Sequence, residues 1–254
     1  MKAVILAGGK GTRLAPYNTV FPKPLVPLGD RPILDIVIHQ LAHYGFSDIT
    51  LSLGYLAELI EAYFHDGSPN VANANIRFVR EREPLGTVGS LALVPGLDES
   101  FLVMNGDILT TLDYGKLLAF HKEQGGELTI ALNQRPVKID LGVIEIDDRF
   151  TLKSFVEKPT LNYLVSMGVY VYEPAVLDYI APGQYLDFPQ VVWRMLADGR
   201  KVVGYPNDAY WLDLGSHTDY QKAQDEFEAM RDRLLPVPAA GENVILLPGA
   251  AANF

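Results

Sequence analysis

The chain of 254 residues contains no cysteine. Disulfide scaffolds, thiolate metal sites and cysteine nucleophiles are thereby excluded. Basic residues are also in short supply: 21 Lys and Arg stand against 31 Asp and Glu, for a net charge of −10. There is no basic run, so a nucleic-acid partner, which needs a basic footprint, is not expected. A nucleotide needs only a few local cations and is not excluded. No apolar run approaches the roughly 18 residues that span a membrane, so no membrane partner is expected. The five histidines are scattered. Only His39 and His43 stand at i, i+4, with no third ligand near them in sequence, and both read as partly exposed helix residues. The chain opens directly on an apolar strand, without the pattern of a signal peptide. The expectation is a cytoplasmic protein. At 48% apolar and 20% charged, the composition is that of a globular chain, long enough to bury a real core.

The most informative stretch lies near the start. Residues 2–7 form an apolar run without alternation, the mark of a buried parallel strand. The run empties into Gly8-Gly9-Lys10-Gly11. Glycine has no Cβ and tolerates positive φ, so backbone N–H groups there can close on a ligand. A nest of N–H groups binds anions. Arg13 and Lys23 add fixed positive charge, the first as a planar fork and the second as a point charge. Together they suit a triphosphate. The spacing is neither G-x-x-x-x-G-K-[ST] nor G-x-G-x-x-G, so the fingerprint of an NAD-dependent dehydrogenase, with its ribose-binding acid about twenty residues on, is not met in that register.

Further along, Ile33, Ile36, Val37, Gln40, Leu41 and Tyr44 recur at helical spacing after Pro32, and Gly45 closes that helix. Strands are expected at 48–53, 76–79 and 101–104, with a helix at 56–64 between the first two. This β-α-β-α-β alternation predicts an α/β fold with a mostly parallel sheet and helices on both faces. Ligands bind such sheets beyond the carboxyl ends of the strands. Two more motifs fall at those ends: Glu83-Pro84-Leu85-Gly86-Thr87-Val88-Gly89 and Asn105-Gly106-Asp107. Asp107 there is a hard oxygen ligand suited to Mg²⁺, which is held by one or two carboxylates plus phosphate oxygens and waters. Later segments read as a helix at 114–123, strands at 128–132 and 141–146, a long strand at 163–171, helices at 173–180 and 188–196, a strand at 201–205 and a charged helix at 218–234. Residues 134–139 carry no strong signal. After Pro236 the chain is rich in Pro, Ala, Gly and Asn and reads as a tail or a short strand.

Leu6-Ala7-Gly8-Gly9-Lys10-Gly11-Thr12-Arg13-Leu14, followed by Pro22-Lys23-Pro24, resembles the signature of the sugar-1-phosphate nucleotidylyltransferases, or nucleotide-sugar pyrophosphorylases. One departure is visible in Pro16-Tyr17-Asn18-Thr19, which lacks the Thr common after the first Pro of that signature. The resemblance covers about residues 1–234. It implies a Rossmann-like sheet flanked by helices, with a β-rich sugar-binding insertion. One catalytic domain would occupy 1–235, with a nucleotide half to about 110, a sugar half from about 111 and a tail at 236–254. No tandem hexapeptide repeat follows.

The reaction implied is transfer of a nucleoside monophosphate from a nucleoside triphosphate to a sugar 1-phosphate, with release of pyrophosphate. By the same resemblance, Leu6, Ala7, Gly8, Gly9, Gly11, Thr12, Arg13, Glu83, Pro84, Gly86 and Asn105 bind the nucleotide. Asp107, Gly142, Glu157, Lys158 and Gly168 bind the sugar phosphate, with Met167 standing where the family has a small residue or Asn. Arg13, Lys23 and Lys158 are the catalytic cations, and Asp107 and Asp213 are the Mg²⁺ ligands. The segment at 83–89 is most similar to the mannose-1-phosphate and heptose-1-phosphate guanylyltransferases, which makes GTP the expected donor. Uridylyl and thymidylyl transfer to a hexose or amino-sugar phosphate stay open. A non-catalytic nucleotide-sugar-binding subunit would have lost the Arg, the Lys or the carboxylates, all of which are present here. Family members often form dimers or tetramers, so a homo-oligomer is allowed by the resemblance and specified by no residue.

Overall fold

The apolar runs and helical periods of the sequence assemble around one mixed sheet. The computed structural model describes residues 1–11, 20–65 and 74–236. In chain order the elements are β1 (Lys2–Ala7), the short hairpin β2 (Pro27–Leu28) and β3 (Arg31–Pro32), α1 (Ile33–His43), β4 (Asp48–Leu53), α2 (Ala57–His65), β5 (Asn75–Arg80), β6 (Phe101–Asn105) and β7 (Ile108–Thr110). There follow α3 (Tyr114–Gln124), β8 (Leu128–Lys138), β9 (Val143–Ile146), β10 (Leu152–Val156), β11 (Thr160–Tyr172), α4 (Phe188–Ala197), β12 (Val202–Asn207), β13 (Trp211–Asp213) and α5 (His217–Leu234). Among the described residues no helix is long and apolar enough to cross a membrane.

The seven-stranded sheet has the order β12-β8-β11-β6-β1-β4-β5. Neighbours β6, β1, β4 and β5 are parallel, β11 is antiparallel to both β6 and β8, and β12 is parallel to β8. From β1 the chain first adds β4 and β5 on one side and then returns to place β6 on the other. The strand order therefore reverses at β1, and a crevice opens beyond the carboxyl ends of β1 and β6. The unbroken apolar run of β1 is explained by burial on both faces. Ala3, Ile5 and Ala7 pack against side chains of α1, α2 and α3, while Val4 joins the core beneath α4. A third core joins Ile33 and Ile36 of α1 to Leu109 of β7, Leu212 of β13, and Ala223 and Phe227 of α5. That packing matters below, because it holds the end of β13 beside the end of β6.

Two expected elements differ. Residues 134–139 do not break the strand; β8 runs on to Lys138, paired with β11. The periodicity gave no sign of this because no side chain from 134 to 165 is buried. A ribbon with two wet faces leaves no apolar alternation to read. Residues 173–180 form only a 3-10 turn at Pro174–Tyr179. The ribbon of β8 and β11, with the separate β9–β10 hairpin, makes an arm standing off the sheet.

Helix α1 carries a buried charge that its apolar period does not announce. Asp35, 1% exposed, accepts from Arg31 Nη1 at 2.9 Å and faces His39 Nδ1 at 3.2 Å. Burial alone lowers the His39 pKa. The hydrogen bonds and charge of Asp35 outweigh both burial and the opposing Arg31, and the net direction is upward. A raised folded pKa contributes stability in full below the unfolded value and loses it as pH rises through the folded value. The stability gap between wild type and His39→Gln is therefore expected to be wider at about pH 5.5 than at about pH 8 in denaturant titrations. A gap that widened with pH would contradict the pairing.

Candidate active site

A cleft of about 460 Å³ opens at the crevice where the strand order reverses. Its floor is the end of β1 and the loop after it: Leu6, Ala7, Gly8, Gly9 and Gly11 line it. Asn105, Gly106 and Asp107 line it from the end of β6. The two strand ends are tied together, since Leu6 pairs with Asn105 and the Gly106 N–H donates to the Leu6 carbonyl at 2.9 Å. Pro84 and Gly86 form part of the far wall. Thr12 and Arg13 lie outside the described residues.

That far wall is held by a segment one hundred residues away in sequence. The Leu186 N–H donates to the Leu85 carbonyl at 2.9 Å, and the Val88 N–H donates to the Leu186 carbonyl at 3.1 Å. The Thr87 N–H donates to Asp187 Oδ1 at 3.0 Å, and the Phe188 N–H to Thr87 Oγ1 at 2.7 Å. Asp187 is also the cap of α4, in a capping box with Gln190. Gly86 is needed here: its φ is +77°, and a Cβ would meet the Leu186 carbonyl oxygen at 2.5 Å. Tyr185, Asp187, Thr87 and Ser90 thus join the cleft.

Glu81, the residue after β5, is a second group the sequence did not single out. It lines the cleft, accepts from Ser52 Oγ at 3.3 Å and from the Leu85 N–H at 3.0 Å, and its Oε1 would lie 2.5 Å from a Cβ on Gly8. One carboxylate therefore links the ends of β4 and β5 to both the glycine loop and the far wall. Its position directly after a strand was the available signal. Glu83, two residues on, is exposed and does not line the cleft.

The cationic centre is Lys23. Pro22 and Pro24 flank it at the start of a 3-10 turn, and Lys23 itself is only 6% exposed. Its stem runs under the glycine loop, where a Cβ on Gly11 would meet Lys23 Cβ at 3.0 Å and Cδ at 3.1 Å. Its ammonium is paired with the Asp107 carboxylate and lies 3.9 Å from Asp213 Oδ1. Asp213 arrives there because β13 pairs with β7, setting Asp213 opposite Ile108, and because the Leu214 N–H donates to the Asp107 carbonyl at 3.0 Å. Lys23, Asp107 and Asp213 are thus brought together from three distant parts of the chain.

The residues of the sugar half are divided. Gly168, φ +73°, sits against the Asn105 amide, 2.8 Å from where its Cβ would be. Met167 is buried, and its carbonyl accepts from Trp211 Nε1 at 2.9 Å. Gly142 and Glu157 are neighbours on the arm, where a Cβ on Gly142 would meet Glu157 Oε2 at 3.2 Å and the Phe155 ring at 2.7 Å. Glu157 and Lys158 are exposed, and none of Gly142, Glu157 and Lys158 lines the cleft. Lys158 has φ +46°, the left-handed region that favours glycine.

A family model described as Nucleotidyl transferase matches residues 2–229. The Synechocystis sp. protein named UTP–glucose-1-phosphate uridylyltransferase is 33% identical over 245 residues, covering 88% of this chain and 62% of its own length. The Schizosaccharomyces pombe mannose-1-phosphate guanyltransferase is 35% identical over 228 residues, covering 87% of this chain and 62% of its own. The chain therefore spans a little under two thirds of these curated relatives. Among solved structures, HddC from Yersinia pseudotuberculosis complexed with GMP-PN is 29% identical, with a TM-score of 0.66 over 89% of this chain and 99% of that one. The sheet and its flanking helices are the α/β fold of that group.

Proposed function

The chain belongs to the nucleotidyl transferase family, and from that premise we propose that it transfers a nucleoside monophosphate from a nucleoside triphosphate to a sugar 1-phosphate, releasing pyrophosphate. The observation that carries this reading is the cleft at the point of strand reversal, with a glycine loop on one side and, on the other, a buried Lys23 paired with the half-buried Asp107. A phosphate oxygen of the sugar 1-phosphate attacks the α-phosphorus of the triphosphate. A new phosphoanhydride forms, the bond between α-phosphorus and its bridging oxygen to the β-phosphate breaks, and pyrophosphate departs with that bonding pair. The attacking group is already an anion, so no Ser, Cys or His nucleophile is required. What the protein must supply is alignment and charge neutralisation.

Gly8, Gly9 and Gly11 are proposed to present N–H groups to the phosphates, and Lys23 to neutralise phosphate charge as it builds. Arg13 is proposed for the departing pyrophosphate on its sequence position beside that loop. Leu6, Ala7, Pro84, Gly86 and Asn105, with the missed Glu81 and Tyr185, would bound the nucleoside. Gly142, Glu157, Lys158 and Gly168 are proposed for the sugar phosphate, which requires the arm to fold toward the cleft when that substrate binds. Asp107 and Asp213 are proposed to hold a divalent cation, a reading supported by the single ammonium that lies near both carboxylates. Among the described residues no group of three or more acidic or histidine side chains could hold a metal, so phosphate oxygens and waters would complete the shell, as is usual for Mg²⁺. Bound there, Mg²⁺ would act as a Lewis acid on phosphate oxygens.

GTP with mannose 1-phosphate or a heptose 1-phosphate is the proposed pair, supported by the S. pombe relative's name and by the GMP-PN in the HddC structure. The Synechocystis relative favours UTP with glucose 1-phosphate as the second reading. Pyrophosphate release across a matrix of nucleoside triphosphates and sugar 1-phosphates with Mg²⁺ decides between them. A signal confined to GTP is expected. Turnover with UTP alone would replace the base assignment, and silence across the matrix by folded, nucleotide-binding protein would overturn the catalytic reading.

A further inference from the structure

We propose that Lys23 is a built-in counter-ion that occupies the divalent-metal position between Asp107 and Asp213, so that a metal ion enters only together with the phosphates of the nucleotide. This rests on the metal role proposed above for those two carboxylates. A lysine is almost never fully buried unless its charge is paired, and Lys23 is 6% exposed. Its head is delivered rather than flexible: the flanking prolines fix its backbone and the glycine loop covers its stem. The carboxylates are fixed as well. The β7–β13 pairing and the hydrogen bond from Leu214 N–H to the Asp107 carbonyl keep them side by side whether or not a cation lies between them.

One ammonium facing two carboxylates leaves a net negative charge, which a divalent ion would reverse. Both cations cannot share the position, because a metal bound to the Asp107 oxygens would sit in contact with the Lys23 ammonium. A bare ion would therefore have to expel Lys23 from its pairing with Asp107 with no phosphate there to receive it. It would gain only two carboxylates, since no third acidic or histidine ligand is grouped there among the described residues. Mg²⁺ dehydrates reluctantly and binds poorly on such terms. A triphosphate changes both halves of the exchange. Its oxygens complete the metal shell, and one of them receives the ammonium as it leaves Asp107. Every charge stays paired throughout, and Lys23 arrives on a phosphate as a consequence of metal entry.

The test is titration of Mn²⁺, read by electron paramagnetic resonance of the free ion, into nucleotide-free wild type, Lys23→Met and Lys23→Arg. Folding is checked by circular dichroism. Removing the like charge from contact with the ion is expected to tighten Mn²⁺ binding by Lys23→Met at least about tenfold over wild type, while Lys23→Arg stays as weak as wild type. Equal affinity of wild type and Lys23→Met overturns the proposal. Should Lys23→Met not fold, wild type alone decides: Mn²⁺ uptake beyond that of GTP alone is expected only when protein and GTP are both present, and tight uptake by protein without nucleotide overturns it. Calorimetric titration of GTP into wild type is run alongside. If no nucleoside triphosphate binds, the functional reading above fails, whereas the Mn²⁺ comparison of the variants still answers for Lys23.

Discussion

Asp107→Asn is expected to lower kcat for pyrophosphate release by about a hundredfold to a thousandfold, the range seen when one preorganised electrostatic group is removed from a transition state. The backbone at this position does not depend on the side chain. It is fixed by the Gly106 N–H on the Leu6 carbonyl and the Leu214 N–H on the Asp107 carbonyl. Asparagine is nearly isosteric and keeps an oxygen that the Lys23 ammonium can use. What it lacks is the negative charge. Leaving a buried ion without its partner costs about 3–5 kcal/mol, but here Asp213 Oδ1 already lies 3.9 Å from the ammonium. The loss of stability should accordingly be nearer the ~1 kcal/mol of one hydrogen bond. Turnover and the thermal midpoint, measured on the same preparation, separate the two effects. A variant that turned over near the wild-type rate would remove Asp107 from the chemistry and return it to a purely structural pairing with Lys23.

The parts of this arrangement that were legible in the sequence are those with a local signature. The apolar run of β1 and the three glycines after it are contiguous, and so is Asn105-Gly106-Asp107 at the end of β6. Strand ends converge in a parallel sheet, so locating the ends sufficed to expect a crevice there. What escaped was whatever depends on pairing across long stretches of chain. Asp187 and Tyr185 reach the cleft because 186–188 is laced to 85–88, and no local pattern marks that contact. The pairing of Lys23 with Asp107 spans 84 positions. The arm escaped for a different reason: with both faces wet, β8 beyond Asn133 offered no period to detect. Asp35 escaped because a charge on the buried side of α1 contradicts the apolar stripe and is tolerated only through Arg31 and His39.

Gly54→Ala is expected to do large damage for a small change. Gly54 follows β4 and belongs to none of the sequence motifs, yet its backbone lies against Gly8 of the glycine loop. Its missing Cβ would fall 2.6 Å from the Gly8 carbonyl oxygen, 3.1 Å from Gly8 Cα and 3.2 Å from Gly8 C. All three are backbone atoms, so no rotamer change can make room. Nor can the loop step aside easily: the Gly8 carbonyl accepts from the Tyr55 N–H at 3.2 Å, and Glu81 Oε1 occupies the place a Cβ on Gly8 would take. The added methyl must displace the glycine loop along the cleft floor. Overpacking of this kind costs about 1–3 kcal/mol of stability. Losing one backbone hydrogen bond to a charged phosphate costs about 1.5–3 kcal/mol, so GTP affinity measured by calorimetry should fall by roughly tenfold to a hundredfold. Gly9→Ala is the control for stability, because nothing lies within 4 Å of its Cβ, and its thermal midpoint should match wild type. If Gly54→Ala bound GTP as tightly as wild type, the contact between the ends of β1 and β4 would not be what sets the loop, and Glu81 alone would have to hold it.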